Sequence, residues 1–112
     1  MFRIAGAALT VALAVATAAP ANAVGAASGW TEIRLSQSAC IATARNAVSG
    51  IGFDATADAQ TVYGWRGEMA VVVRCIANHN VAVFFAYDTS EAEATAVVDR
   101  LRPYFAPAPA GK

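Results

Sequence analysis

From Ile4 to Ala18 the chain runs apolar, rich in Ala, Leu and Val and without a charged side chain. Met1-Phe2-Arg3 supplies a short cationic start, Pro20 interrupts the run, and Ala21-Asn22-Ala23 has the small-x-small pattern that signal peptidase accepts. Residues 1–23 therefore read as a cleavable signal peptide, with the mature chain beginning at Val24. An uncleaved anchor needs about 20 apolar residues, and this run is shorter. Residues 24–29 are small and read as a flexible leader.

Beyond the leader, the pattern changes period several times. Trp30-Thr31-Glu32-Ile33-Arg34-Leu35 alternates polar and apolar positions, which predicts a short strand with Ile33 and Leu35 facing a core. Ser36 or Ser38 is placed to cap a helix over Gln37–Ser49, whose Cys40, Ala44, Ala47 and Ile51 recur on one face. Gly50 is placed to end that helix in the left-handed conformation, with Ile51 folding back. Asp58–Trp65 predicts a second strand on the strength of Thr61-Val62-Tyr63. Arg66-Gly67 turns the chain into Met69–Ala77, where Val71-Val72-Val73 marks the clearest strand. After the Asn78-His79-Asn80 turn, Val81–Tyr87 returns as its hairpin neighbour. Ser90-Glu91-Ala92-Glu93 is a capping box that opens a second helix with an apolar stripe of Ala94, Val97, Val98 and Leu101. Pro103 weakens its last turn. Residues 106–112, Ala-Pro-Ala-Pro-Ala-Gly-Lys, read as an extended, disordered tail.

The order β-α-β-β-β-α over residues 30–105 predicts one small α+β domain, an antiparallel sheet with both helices on one face. The other face is then open. With Cys75 turned inward, strand alternation assigns to that open face Ala70, Val72, Arg74 and Ile76, and beside them Ala82, Phe84 and Ala86. That is an unusually apolar surface, of a kind that marks interaction sites.

Charge narrows the picture. The sequence has 112 residues, 57% hydrophobic and 14% charged, which fits a single globular domain and excludes a generic disordered chain. Loss of Arg3 with the leader leaves seven basic against eight acidic side chains, and the only lysine is Lys112. Dispersed arginines make no phosphate-binding face, so nucleic acid is not an expected partner. No second apolar run of spanning length follows, so no membrane association is expected after cleavage.

Cys40 and Cys75 are the only cysteines, and export leads to an oxidising compartment, periplasmic or extracellular. Both patterns point them inward, one from a helix and one from a strand, so a disulfide between them is expected. Redox catalysis needs an exposed thiol of lowered pKa, commonly in a C-x-x-C arrangement that neither cysteine has.

Cys40 in the first helix, the Gly52-Phe53 exit and Tyr63-Gly64-Trp65-Arg66-Gly67 precede a Val-rich strand that ends in Arg74-Cys75. Together with the Val-Phe-Phe strand and Leu101-Arg102, this resembles a group of small exported bacterial proteins with one disulfide. The resemblance spans most of the mature chain. It implies no functional residues, since no activity is attached to that group.

Little in the sequence suggests catalysis. His79, the only histidine, sits in a turn with no nucleophile elbow or Cys-His pattern, and one His with scattered carboxylates gives no metal-ligand spacing. Asp54 and Asp58 read as solvated loop charges, and Gly50-Ile51-Gly52 lacks the rest of a phosphate loop. No cofactor is expected. Tyr63, Trp65, Arg66 and Arg74 are candidate binding residues, because aromatic and Arg side chains dominate binding hot spots. With Val72, Ile76 and Phe84 they suggest a non-enzymatic exported module that binds a partner protein, or a second copy as a homodimer, through the open face. The alternative is a small-ligand carrier with a pocket between sheet and helices near Trp65, and a remote one is a hydrolase using His79.

Overall fold

A computed structural model describes residues 25–106. The expected signal peptide and residues 107–112 of the expected tail lie outside that range. Five strands form one antiparallel sheet in the spatial order β1-β5-β4-β3-β2: β1 Gly25–Glu32, β2 Asp54–Ala57, β3 Thr61–Arg66, β4 Met69–Ile76 and β5 Val81–Asp88. Helices α1 (Gln37–Gly50) and α2 (Glu91–Leu101) both cover the same face. The fold is thus the expected α+β arrangement, with β2 added as a short edge strand.

Local chemistry accounts for the boundaries. The Ser36 hydroxyl accepts from the Ala39 amide at 3.2 Å and opens α1, and the Ser90 hydroxyl accepts from the Glu93 amide at 3.1 Å and opens α2. Helix α2 tightens into a 3₁₀ turn over Arg102–Phe105 around Pro103. Gly67, at φ +63°, takes the first central position of the two-residue β3–β4 hairpin, where an L side chain is disfavoured. Asn80, at φ 58°, closes the 3₁₀ turn Ala77–His79 before β5.

Two local expectations change. Helix α1 runs through Gly50, and the residue with positive φ is Gly52, at +96°. Gly50 instead lies under the Tyr104 ring, whose hydroxyl a Cβ there would displace. Asp58 belongs to a turn rather than to a strand. Its carboxylate accepts from the amides of Gln60 and Thr61, both at 2.8 Å, and these two bonds hold its pKa below the ordinary carboxylate value.

The expected flexible leader is also corrected, because Gly25–Gly29 forms most of β1 and pairs with Phe84–Asp88 of β5. Its small residues answer to packing. A Cβ on Gly25 would meet the Ser90–Glu91 backbone, and one on Gly29 would lie 2.9 Å from Val98 Cγ1 and 2.7 Å from the Arg102 guanidinium. Glycine lets α2 lie close against the strand. Gly64 does the same for α1, since a Cβ there would stand 2.5 Å from Val48 Cγ1.

Between sheet and helices lie Val62, Val71, Val73, Phe84 and Ala86 from the strands, with Ala44, Val48, Val97 and Leu101 from the helices. Cys40 and Cys75 are both buried there and joined by a disulfide that ties α1 to β4. Beside it, the Gln37 side-chain amide donates to the Cys75 and Ala59 carbonyls at 2.9 and 3.0 Å, and its oxygen accepts from the Ala77 amide at 3.1 Å. One side chain thus anchors the start of α1 to β4 and to the β2–β3 turn.

Candidate functional site

The antiparallel register determines which side chains share the uncovered face. Trp65 pairs with Ala70, Ala70 with Tyr87, and Tyr87 with Ala26. One residue pair further along, the row is Tyr63, Val72, Phe85 and Ser28, and the next is Thr61, Arg74, Val83 and Trp30. Paired residues of an antiparallel ladder lie on one side of the sheet, so these rows form a single surface.

Six large hydrophobic side chains are exposed among the described residues. Five of them, Trp30, Tyr63, Trp65, Phe85 and Tyr87, lie on this face at 36–64% exposure, and Tyr104 is the exception. The Tyr63 and Trp65 rings stack with centroids 6.3 Å apart and planes inclined by 21°. A shallow depression of about 380 Å³ lies between Tyr63, Val72, Arg74, Ile76, Val83 and Phe85. Arg74 is its only charged side chain and is steadied by a 3.0 Å hydrogen bond donated to Gln60 Oε1.

The structure brings together Tyr63, Trp65, Val72, Arg74 and Ile76, all expected to share a surface. It removes Phe84, Ala82 and Ala86. Cys75 pairs directly with Ala82, and Val73 with Phe84, so an inward Cys75 carries Ala82, Phe84 and Ala86 inward with it. Phe84 is 0% exposed and packs on Phe105 with ring centroids 5.3 Å apart. The residues actually presented by β5 are Val81, Val83, Phe85 and Tyr87. The signal for this was the turn: four residues between Ile76 and Val81 leave those two opposite each other, which sets the phase of the returning strand.

Arg66 leaves the face as well. Its guanidinium donates to the Ile51 carbonyl at 3.1 Å, just past the end of α1, and lies 4.5 Å above the Phe53 ring centroid. That is a structural clamp on the α1–β2 loop. Trp65 stands on the side away from the helices, so a pocket between sheet and helices is not lined by it. The interior beneath it is filled where Gly64 meets Val48 and Val71. Trp30, expected as the first residue of a core strand, is instead a surface residue and the most exposed aromatic among the described residues.

His79 is exposed at the end of its 3₁₀ turn. Among the described residues, no group of three His, Cys, Asp or Glu side chains is placed to hold a metal ion. No described helix is long and apolar enough to cross a membrane. No protein-family model, curated protein or solved structure matches this chain. The functional reading accordingly rests on the geometry of the outer face.

Proposed function

We propose that this protein is an exported, non-enzymatic binding module that docks a partner protein on its outer sheet face. The supporting observation is the segregation of five of the six exposed large hydrophobic side chains onto that one surface. Aromatic anchors offer large apolar area with few rotatable bonds, and the Tyr63–Trp65 stack with Phe85 and Tyr87 supplies them side by side. Charge on the face is limited to Asp54 beside Trp65, Arg74 in the depression and Glu32 at one end, so the aromatic surface between them is desolvated at little cost. Export is supported by the apolar leader and by the disulfide, which an oxidising compartment preserves.

Two measurements follow. The denatured, non-reduced mass of protein recovered from its own exported fraction is expected to lack residues 1–23 and two hydrogens. A mass that retains the leader would refute processing before Val24. In parallel, cross-linked wild-type protein is compared with a Trp65→Ala/Phe85→Ser variant. Loss of an aromatic anchor typically costs about 2–4 kcal/mol of binding, so a specific partner should be lost by more than tenfold. An unchanged set of captured proteins, with the variant folded normally, would sink the proposal.

A further inference from the structure

The two edges of the sheet are built differently. Strand β2 is only four residues long, carries Asp54 and runs into Asp58, which are common protections of a sheet edge. Strand β1 spans eight residues, Gly25-Ala-Ala-Ser-Gly-Trp-Thr-Glu32, with no proline, no lysine and no charge before its last position. No described strand lies outside it. An extended edge of this kind presents a row of unpaired backbone donors and acceptors to another chain. Along it runs a groove of about 450 Å³, bordered by Glu91 and Thr95 on one side and by Phe85 and Tyr87 on the other.

The geometry points to a second copy of this chain as the occupant, with β1 pairing antiparallel to its counterpart about a two-fold axis near Ser28. This edge adjoins the outer face proposed for partner binding and shares Trp30 and the flanks of Phe85 and Tyr87 with it, but its contacts are made by the β1 backbone and by α2. Three features make the edge self-complementary. First, pairing centred on Ser28 sets Trp30 opposite Ala26 of the second copy, where the small Ala26 leaves room beside Tyr87. Second, Gly25, Ala27 and Gly29 keep the helix-side surface low.

Third, α2 lies along β1 in the same direction, with Glu91 next to Gly25 and the Arg102 guanidinium above Gly29. The eleven-residue step from Glu91 to Arg102 rises about 16 Å, or about five strand residues. A two-fold axis near Ser28 therefore brings Glu91 of one copy level with Arg102 of the other, and reciprocally. The acidic start and basic end of α2 then face opposite charges, with Arg102 also holding Asp99 at 3.2 Å. With α2 above β1 and β5, the two helices stand about two strand spacings apart, roughly 10 Å, a normal helix-packing distance. The product is a continuous ten-stranded sheet, a closed dimer that leaves both outer faces free.

Sedimentation equilibrium of the oxidised exported protein over a range of concentrations tests this. The wild type is expected to dimerise reversibly. Ser28→Lys places two like charges at the axis and should weaken the dimer at least tenfold. Glu91→Lys alone should weaken it severalfold, and Glu91→Lys/Arg102→Glu should recover the loss. Amide exchange within residues 26–31 should slow as the dimer forms. A wild type that stays monomeric at every concentration overturns the inference. So does a dimer that tolerates Ser28→Lys but is lost in Trp65→Ala/Phe85→Ser, since that dimer would use the outer face. Circular dichroism of each variant verifies that the fold is retained.

Discussion

Replacing both Cys40 and Cys75 with Ala is expected to lower the unfolding free energy by about 3–4 kcal/mol, with a fall of roughly 15–20 °C in the thermal midpoint. The bridge closes a loop with a sequence separation of 35. In the chain-entropy account, a loop of that length restricts the unfolded ensemble by about 4 kcal/mol. A domain this small has a modest core, so that amount is a large fraction of its total stability. The loss should appear without collapse of the native fold at low temperature, because Gln37 independently fastens the start of α1 to Cys75 of β4, to Ala77 just past β4 and to Ala59 of the β2–β3 turn. Urea unfolding with and without reductant measures the difference. A change below about 1 kcal/mol would show that loop closure contributes little here. The expected size also gives the export proposal a physical sense, because in a reducing compartment the domain would work without this contribution.

Phe84→Ala is expected to cost about 3–5 kcal/mol, whereas Phe85→Ala, one residue away, should cost about 1 kcal/mol or less. Phe84 is fully buried, stacked at an angle on Phe105 and flanked across the ladder by Val73 and Gly29. Gly29 contributes no side chain on one flank, so only Val73 borders the space across the ladder and a lost ring leaves a cavity that closes incompletely. Phe85 is 42% exposed on the opposite face, and its truncation removes mainly solvent-facing surface. Chemical denaturation of the two variants gives the comparison directly. Equal costs, or a larger cost at Phe85, would mean that β5 presents its other face to the helices. The pair also separates stability from binding: Phe85→Ala should leave the fold intact while weakening partner capture.

Both helices and the β3–β4 and β4–β5 hairpins were legible in the sequence, because each carries its own local signal. Ser36 and Ser90 cap, Gly67 and Asn80 turn, and the apolar stripes have the right period. The leader was misread because a run of Gly, Ala and Ser has no hydropathy pattern. Its order comes from pairing with β5 and from the close approach of α2, neither of which is local. The phase of β5 was misread for a related reason. Val81-Ala82-Val83-Phe84-Phe85-Ala86-Tyr87 is apolar at both phases, so alternation alone does not choose a face. The candidate surface on β3 and β4 therefore keeps all its residues except Arg66, and the part on β5 moves by one residue.

Periodicity, capping and cysteine placement within short windows suffice to specify the two helices of the described domain, its β-rich middle and the inward pairing of Cys40 with Cys75. Tertiary structure decided which residues meet solvent. The outer aromatic face exists because four strands in register stack Trp30, Tyr63, Trp65, Phe85 and Tyr87 on one side, and the inner face exists because both helices settle on the other. A side chain's position along its strand is a local property, but the side of the sheet it occupies depends on turn lengths and on what packs against the opposite face.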